Sequence, residues 1–173
     1  FVGVIHQSNV LGTINPVKDI VRMAHDVGAI TLVDGAQWVP HGCTDIQEID
    51  CDFYAFSGHK MLGPTGIGIL YGKPELLEKM QPFQGGGEMI RSVTMERATW
   101  NDIPYKFEAG TPNIAQAIGL GAAVKYIQGI GLDVIHNHGR DLTKYAMKQL
   151  TQMDSIKIHG NHYDRGPVIS FEV

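Results

Sequence analysis

Lys60 stands inside "FYAFSGHKMLGPTGIGILYG" (53–72), between two apolar runs that read as buried strands. A lysine is rarely enclosed without a partner or a task. A partly desolvated lysine has a lowered pKa, and its free amine then attacks carbonyl carbon. The plain alternative is a loop lysine that reaches solvent. Asp34 closes the apolar run of "AITLVDGAQ" (29–37). A carboxylate there could hold a cationic ring nitrogen or a metal. It could equally bond its own backbone in an Asp-Gly turn, and position alone divides these readings evenly. Just before Lys60, Ser57 and His59 are suitable phosphate donors, and Gly58 lets an anion come close to the backbone. An amine, a carboxylate and phosphate donors are what Schiff-base chemistry with pyridoxal 5'-phosphate requires.

Other reactive residues carry weaker signals. His6, His25, His41, His136, His138, His159 and His162 include "HNH" and "HGNH", but a zinc site needs further convergent ligands, so they read as surface or packing histidines. "GGG" at 85–87 lacks the Gly-Lys-Ser/Thr continuation and the strand-to-helix setting of a phosphate-binding loop. The two cysteines, Cys43 and Cys51, form no CxxC pair and read as free thiols of a reducing compartment. Nothing in the sequence marks Cys43 as activated.

These residues need a scaffold. "FVGVIH", "AITLVDGAQ", "CDFYAFSGHK" and "GIGILYG" read as strands, and "NPVKDIVRMAHDVG" reads as a helix with Asn15 as N-cap, Pro16 at its first position and Gly28 as its stop. Val17, Ile20, Val21 and Ala24 mark its apolar face. The alternation predicts an α/β fold: a mainly parallel sheet with helices on both faces. Ligands of such sheets bind beyond the carboxyl ends of the strands. That rule gathers Asn9, Asp34, Gln37, Ser57, His59 and Lys60 on one edge.

Further along, "KPELLEKM" reads as a short helix and residues 81–110 as a long irregular excursion. "TPNIAQAIGLGAAVKYIQGIG" reads as a small-residue helix packed tightly. A second long helix has Leu132, Ile135, Leu142, Ala146 and Leu150 near one face, and "SIKIHG" and "GPVISFEV" read as strands of a new unit. A boundary is expected near Gly129–Gly131, dividing the chain into 1–130 and 131–173.

The chain has 173 residues, a net charge of -4, 43% hydrophobic and 18% charged residues. No Lys/Arg stripe suggests nucleic acid, and no apolar run approaches the roughly 18 residues of a membrane helix. With no secretory signal at its start, the expectation is a cytoplasmic protein. Both ends are apolar and β-prone, which predicts a segment of a longer protein.

In order, "SNVLGTINP", "VDGAQ", "DFYAFSGHKMLGPTGIGILYG", "GGGEMI" and "FEAGTPN" resemble the fold-type I, class V aminotransferase-like enzymes over nearly the whole chain. More narrowly they resemble the cysteine desulfurase/selenocysteine lyase family, and "SGHK…GPTG" resembles its second group. The resemblance implies a pyridoxal-phosphate enzyme that takes sulfur or selenium from a small amino-acid substrate, cysteine or selenocysteine, leaving alanine. It implies a homodimer, a sulfur-acceptor protein and a role in iron–sulfur cluster assembly, with 1–130 as the incomplete core of a large cofactor domain and 131–173 as the start of a small α+β C-terminal domain.

By the same resemblance, Lys60 would carry the cofactor as a Schiff base and then shuttle protons. Asp34 would pair with the pyridine nitrogen and Gln37 with the ring hydroxyl. Ser57 and His59 would bind the phosphate, Thr111 would reach the partner subunit's phosphate, and Asn9 would lie near the ring hydroxyl and the substrate carboxylate. The family's ring-stacking histidine, nucleophilic cysteine and carboxylate-binding arginine match nothing between 1 and 173, and neither Cys43 nor Cys51 stands at the matching position. The rival readings are another class V enzyme, kynureninase-like or an aminotransferase, and a non-catalytic dimerisation module.

Overall fold

The computed structural model describes residues 1–160 and 165–173; His162, weighed above as a metal ligand, lies outside the described residues. Four strands form one sheet in chain order: β1 (Val2–Ile5), β2 (Thr31–Asp34), β3 (Phe53–Ser57) and β4 (Gly68–Gly72). The first three are parallel, with Ile5 opposite Asp34 and Asp34 opposite Ala55. A parallel pair needs a long crossover. Helix α1 (Val17–Asp26) supplies it between β1 and β2, and a loop with the short helix α2 (Ile46–Ile49) supplies it between β2 and β3. β4 is antiparallel to β3, Ser57 facing Gly68, so the short "GHKMLGPTGI" connection suffices.

The α1 stripe meets the sheet as its 3.6-residue period dictates. Val17, Val21 and Ala24 are buried, and the two valines pack with Val33, Ile49, Cys51 and Tyr54. Gly28, at φ +71°, takes the left-handed turn that stops the helix. Asn15 does not cap it. Pro16 holds the cap position, and the Asn15 amide instead donates to the Ile5 carbonyl at 2.7 Å, tying the helix entrance to the end of β1. The alternate residues of the strands face the other side of the sheet. There Leu77 of α3 (Pro74–Lys79) comes against Phe53 and Gly72.

Two of the strands expected to be buried are not. β1 is only half-covered and β4 is exposed along Gly68–Tyr71, because they are the outer strands and each lacks a neighbour on one side. The 81–110 excursion contains a hairpin, β5 (Ile90–Val93) with β6 (Ala98–Trp100), whose strands mix polar with apolar residues and so hide the alternation.

Helix α4 (Ile114–Ile130) buries only Leu120, Ala123 and Ile127. It packs through one narrow stripe rather than all round: Ile118 is 70% exposed and Tyr126 63%. At Gly131 the chain bends by 74° into α5 (Leu132–Leu150). Leu142 points to solvent. Thr143 takes the inward position, its hydroxyl donating to the Gly139 carbonyl at 2.8 Å. The strands β7 (Lys157–His159) and β8 (Ser170–Glu172) form a final antiparallel pair. Among the described residues no single helix is long and apolar enough to cross a membrane.

Candidate functional site

The three parallel strands end at one edge, and their carboxyl ends carry the candidate residues. β3 stops at Ser57, and a short 3-10 turn, Gly58–Met61, follows. Gly58 donates to the Ile67 carbonyl at 2.9 Å and Gly63 to the Gly58 carbonyl at 3.0 Å, which fixes the turn. Met61 points inward onto Leu120 and Ile127. His59 and Lys60 are exposed. Lys60 is therefore not enclosed between core strands: its backbone is anchored, while its amine is open at the sheet edge.

Asp34 is also exposed at the end of β2. Its Oδ1 accepts from the Ala36 amide at 2.9 Å, the Asp-Gly turn use. Its second oxygen makes no hydrogen bond among the described residues and is free for a cation. Gln37 lies half-buried in the same turn and Ser57 half-buried at the end of β3.

Asn9 is exposed on a tight turn whose Ser8 hydroxyl accepts from the Val10 and Leu11 amides, both at 3.1 Å. That turn is clamped from outside. Arg165 donates to the Leu11 carbonyl, Ser170 to the Val10 carbonyl, and the Gly166 amide to the Gly12 carbonyl at 2.8 Å. Thr111 is exposed on a loop held by the Gly110 amide, 3.0 Å from the Gly87 carbonyl, and by the Asn113 amide on the Gly66 carbonyl. It thus belongs to the loops bordering the Lys60 turn. No three His, Cys, Asp or Glu side chains converge for a metal among the described residues.

A buried layer under the edge went unnoticed in the sequence. His6 stacks on Trp38, ring centroids 4.5 Å apart, and its Nδ1 lies 2.8 Å from the Tyr54 hydroxyl. Trp38 meets His136 edge-on at 6.0 Å. Burial pushes the His6 imidazole down to about 4 and raises Tyr54, so both are neutral at ordinary pH. Period-two alternation was the available signal: His6 continues the inward register of Val2 and Val4.

Fold and edge together define an open α/β protein whose candidate site residues lie beyond the carboxyl ends of parallel strands. The chain belongs to the aminotransferase class-V family, whose model matches residues 1–173. It is 58% identical over 173 residues to a probable cysteine desulfurase of Halobacterium salinarum, covering 99% of this chain and 42% of that protein. It is 54% identical to a cysteine desulfurase of Haloferax volcanii, covering 99% of this chain and 41% of that one. The cysteine desulfurase CsdA of Escherichia coli, crystallised as its S-sulfonic acid, superposes with a TM-score of 0.93 at 39% identity, over 98% of this chain and 42% of CsdA. The chain spans less than half the length of these relatives.

Proposed function

We propose that residues 1–173 form the cofactor-holding part of a pyridoxal 5'-phosphate-dependent cysteine desulfurase or selenocysteine lyase. The observation that carries this reading is the pairing of an open Lys60 amine with a half-free Asp34 carboxylate on one sheet edge. The donor set fits the group: an amine for its aldehyde, an anion for its ring nitrogen, and Ser57 and His59 on a Gly-containing turn for its phosphate. When bound, pyridoxal phosphate acts as an electron sink for a carbanion on the substrate's α-carbon.

The chain's own residues would do the rest. Lys60 holds the cofactor and moves a proton at Nζ. Asp34, steadied by the Ala36 amide, keeps the ring nitrogen protonated, because a nearby anion favours the charged form. Gln37 and Asn9 orient the ring hydroxyl and the substrate, and Thr111 serves a partner's phosphate in a homodimer. The substrate class is cysteine or selenocysteine, and a protein thiol accepts the sulfur for iron–sulfur cluster assembly in the cytoplasm. In this reading 1–130 is the core of the large domain and 131–173 opens the small one; the bend at Gly131 supports that division.

The test is cofactor uptake by the full chain. A yellow protein whose colour is lost in Lys60→Ala supports the reading; alanine release from cysteine is not expected of residues 1–173, which hold no match for the family's nucleophilic cysteine. A protein that stays colourless with excess pyridoxal phosphate sinks it.

A further inference from the structure

The turn that carries Asp34 and Gln37 rests on Tyr54. A methyl group added at Gly35 would lie 2.1 Å from Cε1 of that ring, so only glycine lets the turn settle onto it. Tyr54 is 1% exposed, and its hydroxyl reaches His6 Nδ1 at 2.8 Å. His6 is tied to the same turn through its backbone, its amide donating to the Asp34 carbonyl at 2.8 Å. Trp38, four residues beyond Asp34, closes the stack on the imidazole. Two buried side chains from β3 and the end of β1 thus hold both ends of the Asp34–Trp38 segment.

We propose that Tyr54 and His6 are positioning residues for the Asp34 turn, joined by a neutral phenol-to-imidazole hydrogen bond that supports the turn from beneath without placing a cation beside the Asp34 carboxylate. The proposal rests on the reading of Asp34 as the carboxylate that faces the cofactor. The direction of the bond follows from chemistry: a phenol is a strong donor, and an unprotonated imidazole nitrogen is a strong acceptor. His6 is therefore the Nε2–H tautomer. Neutrality matters because an imidazolium here would draw on the same negative charge that Asp34 offers a ring cation. Burial supports it, holding the imidazole neutral until the pH falls to about 4. The other titratable neighbours are His136, across Trp38, and Asp34 and Cys51, whose charges bear on Tyr54.

The experiment uses the full chain and two readouts. NMR of isotope-labelled histidine should show His6 as the Nε2–H tautomer with no titration near neutrality. Tyr54→Phe keeps the ring under Gly35 and removes only the hydroxyl. It should move the His6 resonances and weaken pyridoxal phosphate binding roughly 3- to 10-fold, the worth of one net hydrogen bond. His6→Asn, whose amide oxygen can accept in place of Nδ1, should bind the cofactor more tightly than His6→Leu, which keeps the test alive if Tyr54→Phe does not fold. An Nδ1–H tautomer in the parent protein, or equal cofactor affinity in Tyr54→Phe and the parent, overturns the proposal. A parent protein that takes up no cofactor overturns the Asp34 reading and the positioning role together. That outcome is distinct from failure of the proposal alone, in which both proteins bind equally.

Discussion

Thr31 and Asp52 exchange hydrogen bonds in both directions at the amino ends of β2 and β3. The Thr31 amide and hydroxyl donate to Asp52 Oδ2 at 2.7 and 2.9 Å, and the Asp52 amide donates back to the Thr31 hydroxyl at 3.0 Å. His25 Nε2, at the end of α1, adds a donor to the same oxygen at 2.9 Å, and Lys73 Nζ lies 3.4 Å from the other oxygen. The sheet is thus pinned by a buried charge cluster at the end opposite Lys60. The carboxyl edge can then stay open without the strands separating.

Asp52→Asn should lower stability by about 1–3 kcal/mol, the cost of weakening hydrogen bonds to a buried charged group. Burial alone would raise this carboxyl, but the hydrogen bonds from His25 and Thr31 outweigh it and bring it down from 3.8 to about 2. A folded-state pKa below the unfolded one gives stability that is complete above the unfolded value and lost as acid titrates the folded group. Denaturation midpoints of the parent should therefore fall between 3.8 and about 2, and Asp52→Asn should flatten that decline. Parallel curves for the two proteins would refute this.

Lys106 is 7% exposed, and its ammonium donates to the Leu77 and Glu78 carbonyls at 3.1 and 2.7 Å. It caps the last carbonyls of α3 from the 3-10 turn Tyr105–Phe107 and so ties the 81–110 excursion to that helix. Lys106→Met keeps the stem and removes the donors. The expected loss is about 1–2 kcal/mol, read as a lower urea midpoint, with protease cutting inside 81–110 accelerated. An unchanged midpoint and cleavage pattern would remove Lys106 from this role.

The site's outline was legible because strand ends are marked locally: Asp34 and Lys60 each follow an apolar run, and the carboxyl-end rule needs only their order. Pairings across long separations were not. Tyr54 and His6 are 48 residues apart, and Lys106 is 29 from Leu77, distances at which composition and period carry no information. Burial misled for a related reason. "GIGILYG" and the α4 stretch show what a strand or helix could cover, but Leu70 and Ile118 are 58% and 70% exposed because coverage depends on neighbours. For Asp34, the evenly divided readings were not rivals, since one oxygen serves the turn and the other is free.

Asp34→Asn separates those two oxygens. The amide oxygen can still accept from Ala36, so the turn should persist and circular dichroism should not change. The negative charge is lost, and with it the support for a protonated ring nitrogen. Solvent exchange of a bound amino acid's α-proton should slow roughly 100-fold or more, the scale of losing one preorganised electrostatic group, while cofactor still attaches through Lys60. Near-normal exchange would show that Asp34 serves the turn alone.

The two thiols should differ sharply in reactivity. Cys51 is 0% exposed beside the Asp52 cluster, and burial pushes its thiol up to about 11. Cys43 is exposed. Thiolate is the reacting form, so Cys51 is disadvantaged twice, by access and by protonation. Mass spectrometry after mild alkylation should find Cys43 modified and Cys51 roughly 100-fold or more slower, until denaturant equalises them. The linkage sign follows from the same shift: the unfolded chain gives up this proton near pH 9.0 and the folded chain holds it to about 11, so stability should decline as pH rises from 9.0 towards about 11. Cys51→Ser would remove that alkaline decline. Rapid labelling of Cys51 in the folded protein would contradict its enclosure.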